Sequence, residues 1–298
     1  MKTKVTIGVC VKDCEKDVSQ IVERISSQDF PHEQMEVLFV EDGSTDNTLK
    51  SILKYAPKMN MKYRIPPHES KGLGFSRNFV FKNARSDYII WVDDGTVIHK
   101  DYVRKQVDFM NKHPDAGIAI GIMDFFPGSN RVATLENIGE IVFNYKFRGK
   151  VTTKLPATGG SIYRIKALEQ TGGFDEGIQG ATEDTEAAYR IKSAGWQIYV
   201  TEARYYRDIN KKLKKVWNKN VWYGYGSHFT LHKHKELHQM LYKSTPLAGF
   251  VEGIPACSIA YKLTHNRSSF LLPLYFSIKR TAWCVGYMKS HFDSYGHA

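Results

Sequence analysis

Three short, apolar, β-branched runs in this chain each end in an acidic turn. Val5–Val11 leads to Asp13, Glu36–Val40 leads to Glu41-Asp42-Gly43-Ser44, and Tyr88–Val92 leads to Asp93-Asp94-Gly95. Between and after them, apolar residues recur at the helical period. The sets are Val18, Ile21, Val22 and Ile25; Leu49, Ile52, Leu53 and Ala56; Phe79, Val80 and Ala84; and Tyr102, Val103, Val107 and Met110. Met61–Ile65 and Ala116–Ile122 read as further strands. Short buried strands separated by helices need crossover connections, which make neighbouring strands parallel. The pattern therefore predicts an α/β, doubly wound sheet. Such sheets bind ligands beyond the carboxyl ends of their strands, so the acidic turns point to one crevice.

Glycine spacing removes two classes. No GxGxxG follows the first strand, no GxxxxGK[ST] occurs, and Gly72-Leu73-Gly74 lacks a third glycine. A dinucleotide-binding dehydrogenase and a P-loop NTPase are both disfavoured. A nucleotidyltransferase would carry a Gly/Arg/Lys-rich loop where Val11-Lys12-Asp13-Cys14-Glu15 stands.

Each acidic segment has a bland and a chemical reading. In Val40–Thr48, Asp-Gly makes a turn that Ser44 or Asp46 caps; alternatively Asp42 accepts hydrogen bonds from a nucleotide base. Asp93 and Asp94 form either a solvated turn or a pair of hard oxygen ligands for a divalent cation that also bridges phosphates. Glu183 and Asp184 open a helical segment. They either complement its dipole or hold a general base at the rim of a cleft.

Beyond residue 123 the regularity breaks, and Phe125–Lys154 has no clear assignment. Thr158–Ser161 reads as a turn and Ile165–Gln170 as a short helix stopped by Gly172-Gly173. Thr182–Ala194 reads as a helix with Thr182 at its N-cap, and Trp196–Val200 as a strand. After residue 208 the pattern is helical and basic.

The ordered set VEDGSTDNT, GLGFSRN, VDD, TGGSIYR with GGFDE, and EDTEAAYRIKSAGW resembles the GT-A glycosyltransferases of family 2. These are inverting nucleotide-sugar transferases, and the resemblance covers residues 4–205. It implies a Rossmann-like mixed sheet. It further implies a base-reading role for Asp42 and a place near base and ribose for Val11 and Asp13. Gly72, Arg77 and Asn78 would lie near the diphosphate, together with Asp93. A Mn or Mg ion would sit on Asp94 or Asp93. Gly160, Ser161 and Arg164 would shape the acceptor side with Gly172–Glu176, and Asp184, beside Glu183, would be the catalytic base. The donor implied is an NDP-sugar, most simply a UDP-sugar, and the acceptor a hydroxyl of a glycan or polyprenyl-linked molecule.

Three departures stand out: Glu41 replaces an Asp, VDDG replaces a strict DxD, and Arg207 stands where many relatives carry a metal-binding His. An arginine cannot ligate a metal but can contact phosphate. The expected organisation is a catalytic domain over 1–207, with a nucleotide half over 1–123 and an acceptor half over 124–207. A helical extension over 208–298 follows.

The net charge of +11 sits in the last third of the chain. Residues 204–298 hold 15 basic and 4 acidic residues, whereas residues 1–203 hold 27 of each. Lys211, Lys212, Lys214, Lys215 and Lys219 lie among Trp217, Trp222, Tyr223 and Tyr225, a mixture suited to lipid headgroups. The neutral body argues against nucleic acid as a partner. Leu247–Met288 is apolar but interrupted by Glu252, Pro255, Lys262 and Pro273, so it suits helices lying in an interface better than a spanning helix. His228, His232, His234 and His238 show no chelating set, and no zinc site is expected. Cys10, Cys14, Cys257 and Cys284 lack metal-site spacing and read as thiols in a reducing compartment. The opening MKTKVTIGVCVKD turns charged too soon for a secretory leader. The expectation is a cytoplasmic enzyme, peripheral at the cytoplasmic membrane face.

Overall fold

The computed structural model describes residues 3–67, 69–145, 147–178, 181–207 and 212–295; Lys211 lies outside them. The chain forms two compact units. The first comprises Met1–Asp124, Phe147–Glu176 and Asp184–Arg207, and the second Phe125–Lys146, Gly177–Glu183 and Asp208–Ala298.

In chain order the elements are β1 (Val5–Val11), α1 (Val18–Ser26), β2 (Met35–Glu41), α2 (Thr48–Tyr55), β3 (Lys62–Arg64), α3 (Leu73–Asn83), β4 (Tyr88–Trp91) and β5 (Thr96–Ile98). Then come α4 (Tyr102–Lys112), β6 (Ala116–Met123), α5 (Arg131–Tyr145), β7 (Ser161–Arg164), α6 (Ile165–Thr171), α7 (Glu183–Ser193) and β8 (Gln197–Arg207). The eight strands form one sheet in the order β3-β2-β1-β4-β7-β6-β8-β5. β1 pairs in parallel with β2 and β4, β2 with β3, and β6 with β8. β7 runs antiparallel between β4 and β6, and β5 runs antiparallel to β8. The sheet is therefore mixed.

β1 and β2 are buried along almost their whole length, as strands covered on both faces must be. Leu38, Val40, Ile89, Trp91, Ile118 and Tyr163 share one core with Val80 of α3 and Ala187, Ala188 and Ile191 of α7. α2 keeps its predicted period but presents a different face. Ile52 and Ala56 are buried, whereas Leu49 and Leu53 are 43% and 56% exposed. Thr182 precedes α7 at φ +98°, and its hydroxyl pairs with that of Thr230 at 2.8 Å.

The second unit contains α5 and the helices α8 (Leu213–Lys233), α9 (Gln239–Lys243), α10 (Pro246–Thr264) and α11 (Leu272–Phe292). The segment left unassigned in the sequence thus contains a fifteen-residue helix. Leu135 and Ile138 of α5 pack with Val216, Ala256, Ala260, Leu272, Tyr275 and Phe276. Glu136 is buried there and takes both Lys279 Nζ and the Tyr275 hydroxyl at 2.7 Å. α8 and α11 approach at glycines: a Cβ on Gly224 would lie 1.9 Å from the Trp283 carbonyl, and one on Gly286 1.9 Å from the Val221 carbonyl.

α10 runs through Pro255 without a break. Thr245 caps it, accepting from the Ala248 N–H, and Pro246 occupies the first turn, where a missing donor costs nothing. Its packing is inverted. The small residues Gly249, Gly253, Ala256 and Ala260 are buried, whereas Leu247, Phe250, Val251 and Ile254 face outward. Among the described residues no helix is long and apolar enough to cross a membrane.

Arg190 is the main tie between α7 and the turn after α6. It forms a bidentate pair with fully buried Glu186, reaches the Gly173 carbonyl at 2.7 Å, and also donates to the Thr171 carbonyl. Removing its charge strands a carboxylate in the core, which costs about 3–5 kcal/mol. Arg190→Met should lower stability by that amount in urea unfolding followed by far-UV circular dichroism. The double variant Arg190→Met/Glu186→Leu should recover part of the loss.

Candidate active site

All the groups assembled here belong to the first unit, except Glu183. Parallel register brings Val11 of β1 level with Glu41 of β2, so the acidic turns leave the sheet at the same edge. Asp13 sits at φ +50°, a left-handed conformation that Asp tolerates. Its Oδ1 accepts from the Thr45 N–H at 2.7 Å, and its own N–H donates to the Ser44 hydroxyl at 2.9 Å. Glu41 accepts from the Ser44 N–H, and the Ser70 hydroxyl donates to the Asp42 carbonyl at 2.7 Å. The first two strand-end loops are thereby tied together, with Asp42 buried behind them.

The first turn of α3 follows Gly72, which sits at φ +98°. Gly74 passes so close to the Asp175 carbonyl that a Cβ would lie 2.7 Å from it. Arg77 is only 3% exposed; its guanidinium stands over the Phe174 ring and 3.7 Å from Asp93 Oδ1. Asn78 faces the same segment. Its Nδ2 donates to the Phe174 carbonyl and to Glu176, and its Oδ1 accepts the Phe174 N–H, all at 2.7 Å. Both amide hydrogens are thus committed to holding the Gly173–Glu176 turn, which makes Asn78 a positioning residue.

β7 returns the chain to the same edge. A Cβ on Gly159 would lie 2.6 Å from Asp93 Oδ2 and 2.8 Å from an Arg207 guanidinium nitrogen. Asp93 is therefore flanked by two arginines, Arg77 and Arg207. Asp94 is exposed and, among the described residues, forms no ion pair. Gly160 has φ +80°, with the Tyr205 ring where a side chain would go. Asp184, in the first turn of α7, accepts the Thr158 N–H at 3.3 Å and the Thr185 N–H at 2.7 Å. Two backbone donors thus orient one carboxylate. Glu183 is withdrawn from solvent at 1% exposure.

Buried groups at the edge register the surrounding charges. Burial pushes the Cys10 thiol up to about 12; Arg77 pulls it down, and Asp93 and Asp42 push it further up. Cys14 is likewise raised to about 12, by burial first and then by Asp94. Tyr163 is raised by burial, with Asp184 and Asp93 adding to the rise and Arg77 opposing it. Asp42, Arg77, Asp93 and Asp184 thus act on one neighbourhood. These thiols stay protonated at neutral pH, so they are packing groups and not nucleophiles.

Of the residues expected on the acceptor side, Arg164 lies at the far end of the sheet and Ser161 turns its hydroxyl inward. Arg164 pairs across β7 and β4 with Tyr88, at the opposite end of β4 from Asp93. There it donates to the Met110, His113 and Ala116 carbonyls, closing the end of α4. Ser161 is fully buried, with its hydroxyl on the Ala157 carbonyl at 2.6 Å. The antiparallel direction of β7 leaves only its first residues and the preceding glycines near the acidic edge. The turn over Thr158–Ser161 was legible in the sequence, but the approach of Gly159 to Asp93 was not.

The donor set suits a divalent cation. Two adjacent hard carboxylates, with no third acidic or histidine ligand grouped with them among the described residues, fit an ion completed by phosphate oxygens and water. Asp94 is the more exposed of the two, whereas Asp93 is paired with Arg77.

The family model for glycosyl transferase family 2 matches residues 6–172. Poly(ribitol-phosphate) beta-N-acetylglucosaminyltransferase TarS of Staphylococcus aureus is 32% identical over 110 residues, 37% of this chain and 19% of that protein. Poly-beta-1,6-N-acetyl-D-glucosamine synthase of Staphylococcus epidermidis is 22% identical over 229 residues, 74% of this chain and 54% of that protein. The chain thus spans about a fifth to a half of these relatives. Among solved structures, the mannosyltransferase PcManGT from Pyrobaculum calidifontis, in complex with GDP-Man and Mn2+, superposes with a TM-score of 0.69 at 14% identity. That match covers 98% of this chain and 88% of that one. S. aureus TarS 1-349 in complex with UDP-GlcNAc gives 0.56 at 18% identity, covering 98% and 92%. These likenesses identify the fold as GT-A. Since the family model spans more than half of the residues, and its segment carries the acidic edge from Asp13 to Gly160, the chain belongs to glycosyl transferase family 2.

Proposed function

We propose that the chain transfers a sugar, with inversion, from a UDP-sugar to a hydroxyl of a glycan or lipid-linked acceptor. The observation that carries this reading is the convergence of Asp42, Arg77, Asp93, Asp94, Arg207 and Asp184 on one sheet edge. UDP-GlcNAc in the related TarS complex and GDP-Man in the mannosyltransferase complex support a nucleotide-sugar donor.

In this scheme Asp42 reads the base, behind the loop that Asp13 fixes. A Mn or Mg ion on Asp94 would neutralise the diphosphate as it leaves. Arg77, paired with Asp93, and Arg207, near it, add positive charge where the leaving group gains negative charge. Asp184 accepts the proton of the acceptor hydroxyl as that oxygen attacks the anomeric carbon from the face opposite the diphosphate. One carboxylate suffices for a single displacement, and no covalent sugar–enzyme bond is formed. Thr158 and Thr185 hold Asp184 in place, so no reorganisation is required at the moment of transfer.

A second part of the proposal concerns location. α10 turns Leu247 (73% exposed) and Ile254 (56%) outward, and Leu274 of α11 is 58% exposed. Both helices belong to the last third of the chain, whose residues 204–298 hold 15 basic and 4 acidic residues. An apolar strip within a basic region fits an anionic lipid surface, with the helices lying in the interface.

Asp184→Asn should reduce transfer by about 10²–10⁴-fold, the contribution of a positioned base. UDP affinity in calorimetry with Mn should stay within about twofold of wild type; unchanged turnover would reject Asp184 as the base. Gly159→Ala should displace Asp93 and Arg207 and weaken UDP binding by about tenfold, with the melting temperature preserved. For location, the chain should float with vesicles containing phosphatidylglycerol at low salt. Leu247→Ser/Ile254→Ser should abolish flotation, and failure of wild type to float would remove the membrane assignment.

A further inference from the structure

Three imidazoles converge in the second unit from two helices. His228 and His232 lie one turn apart on α8, and His291 comes from the last turn of α11. One ring nitrogen from each lies within 4.8 Å of the others. The His228 ring centroid is 4.2 Å from that of His232 and 5.5 Å from that of His291.

His228 is the fully buried member, and its tautomer is set by the backbone. Its Nδ1 lies 2.9 Å from the Tyr295 carbonyl. A carbonyl only accepts, so Nδ1 carries the hydrogen and Nε2 of the neutral ring carries the lone pair. A backbone carbonyl on the far nitrogen is the usual way a protein orients a metal-ligating histidine.

The surrounding backbone also favours a cation. Asn220 and Lys279 line one cavity, and farther along the same helices His228 meets His291, so α8 and α11 run parallel. Their carboxyl-terminal ends therefore lie side by side, and each carries a partial negative charge. His232 and His291 occupy those last turns.

We infer that His228, His232 and His291 form a site for a borderline divalent metal ion of the zinc type, clipping the end of α11 to α8. Imidazole ligands suit such ions, and three of them with one water complete a tetrahedron. Two nitrogens on one tetrahedral zinc stand about 3.3 Å apart, given Zn–N distances of about 2.0–2.1 Å. Rotation of the exposed His291 side chain closes the remaining gap. The site differs in chemistry from the Asp93–Asp94 pair, whose oxygen ligands suit Mg or Mn.

The test uses the full chain without an affinity tag, titrated with zinc chloride by calorimetry and with cobalt chloride by visible absorption. Wild type should bind one zinc ion, raise its melting temperature, and give the absorption of four-coordinate cobalt. His291→Ala and His232→Ala, which spare the buried ring, should each weaken zinc binding by about tenfold or more. Asp93→Asn/Asp94→Asn should retain the site. Equal zinc binding by wild type and His232→Ala/His291→Ala would overturn the assignment. So would loss of zinc binding in the aspartate variant, or no uptake by wild type at about 1 mM.

Discussion

β7 runs antiparallel between β4 and β6, and its direction decides which of its ends meets the acidic turns. Had this strand joined its neighbours in parallel, Arg164 would stand at the edge and the glycines at the far end. Instead Gly159 and Gly160 arrive beside Asp93, with no side chains to fill the space. The crevice exists because three parallel strands end in acids and a fourth strand begins there with glycine.

Electrostatics then completes the edge. Arg77 is nearly fully buried, and burying a guanidinium is costly without a partner. Asp93 supplies the charge and the Phe174 ring supplies the face. Asn78, one residue along α3, fixes Phe174 through its backbone. Adjacent residues of one helix thus take different parts: Arg77 faces the crevice, and Asn78 fastens the loop beneath it. The same division separates Asp93, paired with Arg77, from exposed Asp94, and Glu183, buried, from Asp184.

The long strands and their acidic ends were legible because burial on both faces demands continuous β-branched runs. β5 and β7 directly follow Gly95 and Gly160, so the sequence reads them as part of the preceding turns. α5 was illegible for another reason. Val132, Leu135, Ile138 and Val142 follow the helical period, but Gly139 interrupts them, and a Gly-Ser-Asn turn precedes them. The position of Arg164 could not be read at all, because a sequence motif does not state the direction of its strand. The three-histidine cluster shows the same limit. His228 and His232 are a visible pair, yet their third partner lies 59 residues beyond His232, and only the packing of α8 on α11 brings it in.

α10 carries the remaining tension between sequence and fold. Burying a Leu, Ile or Phe contributes about 1.5–3 kcal/mol, yet this helix buries glycine and alanine and leaves four large apolar side chains outside. The small residues allow close backbone approach: a Cβ on Gly253 would lie 2.3 Å from Pro273. Close approach explains why the inner face is small. It does not explain why the outer face is apolar, since polar residues there would cost the unit nothing. An outward apolar face on a packed helix is best accounted for by a surface that covers it. The concentration of lysine and arginine in the same region makes an anionic surface the natural complement.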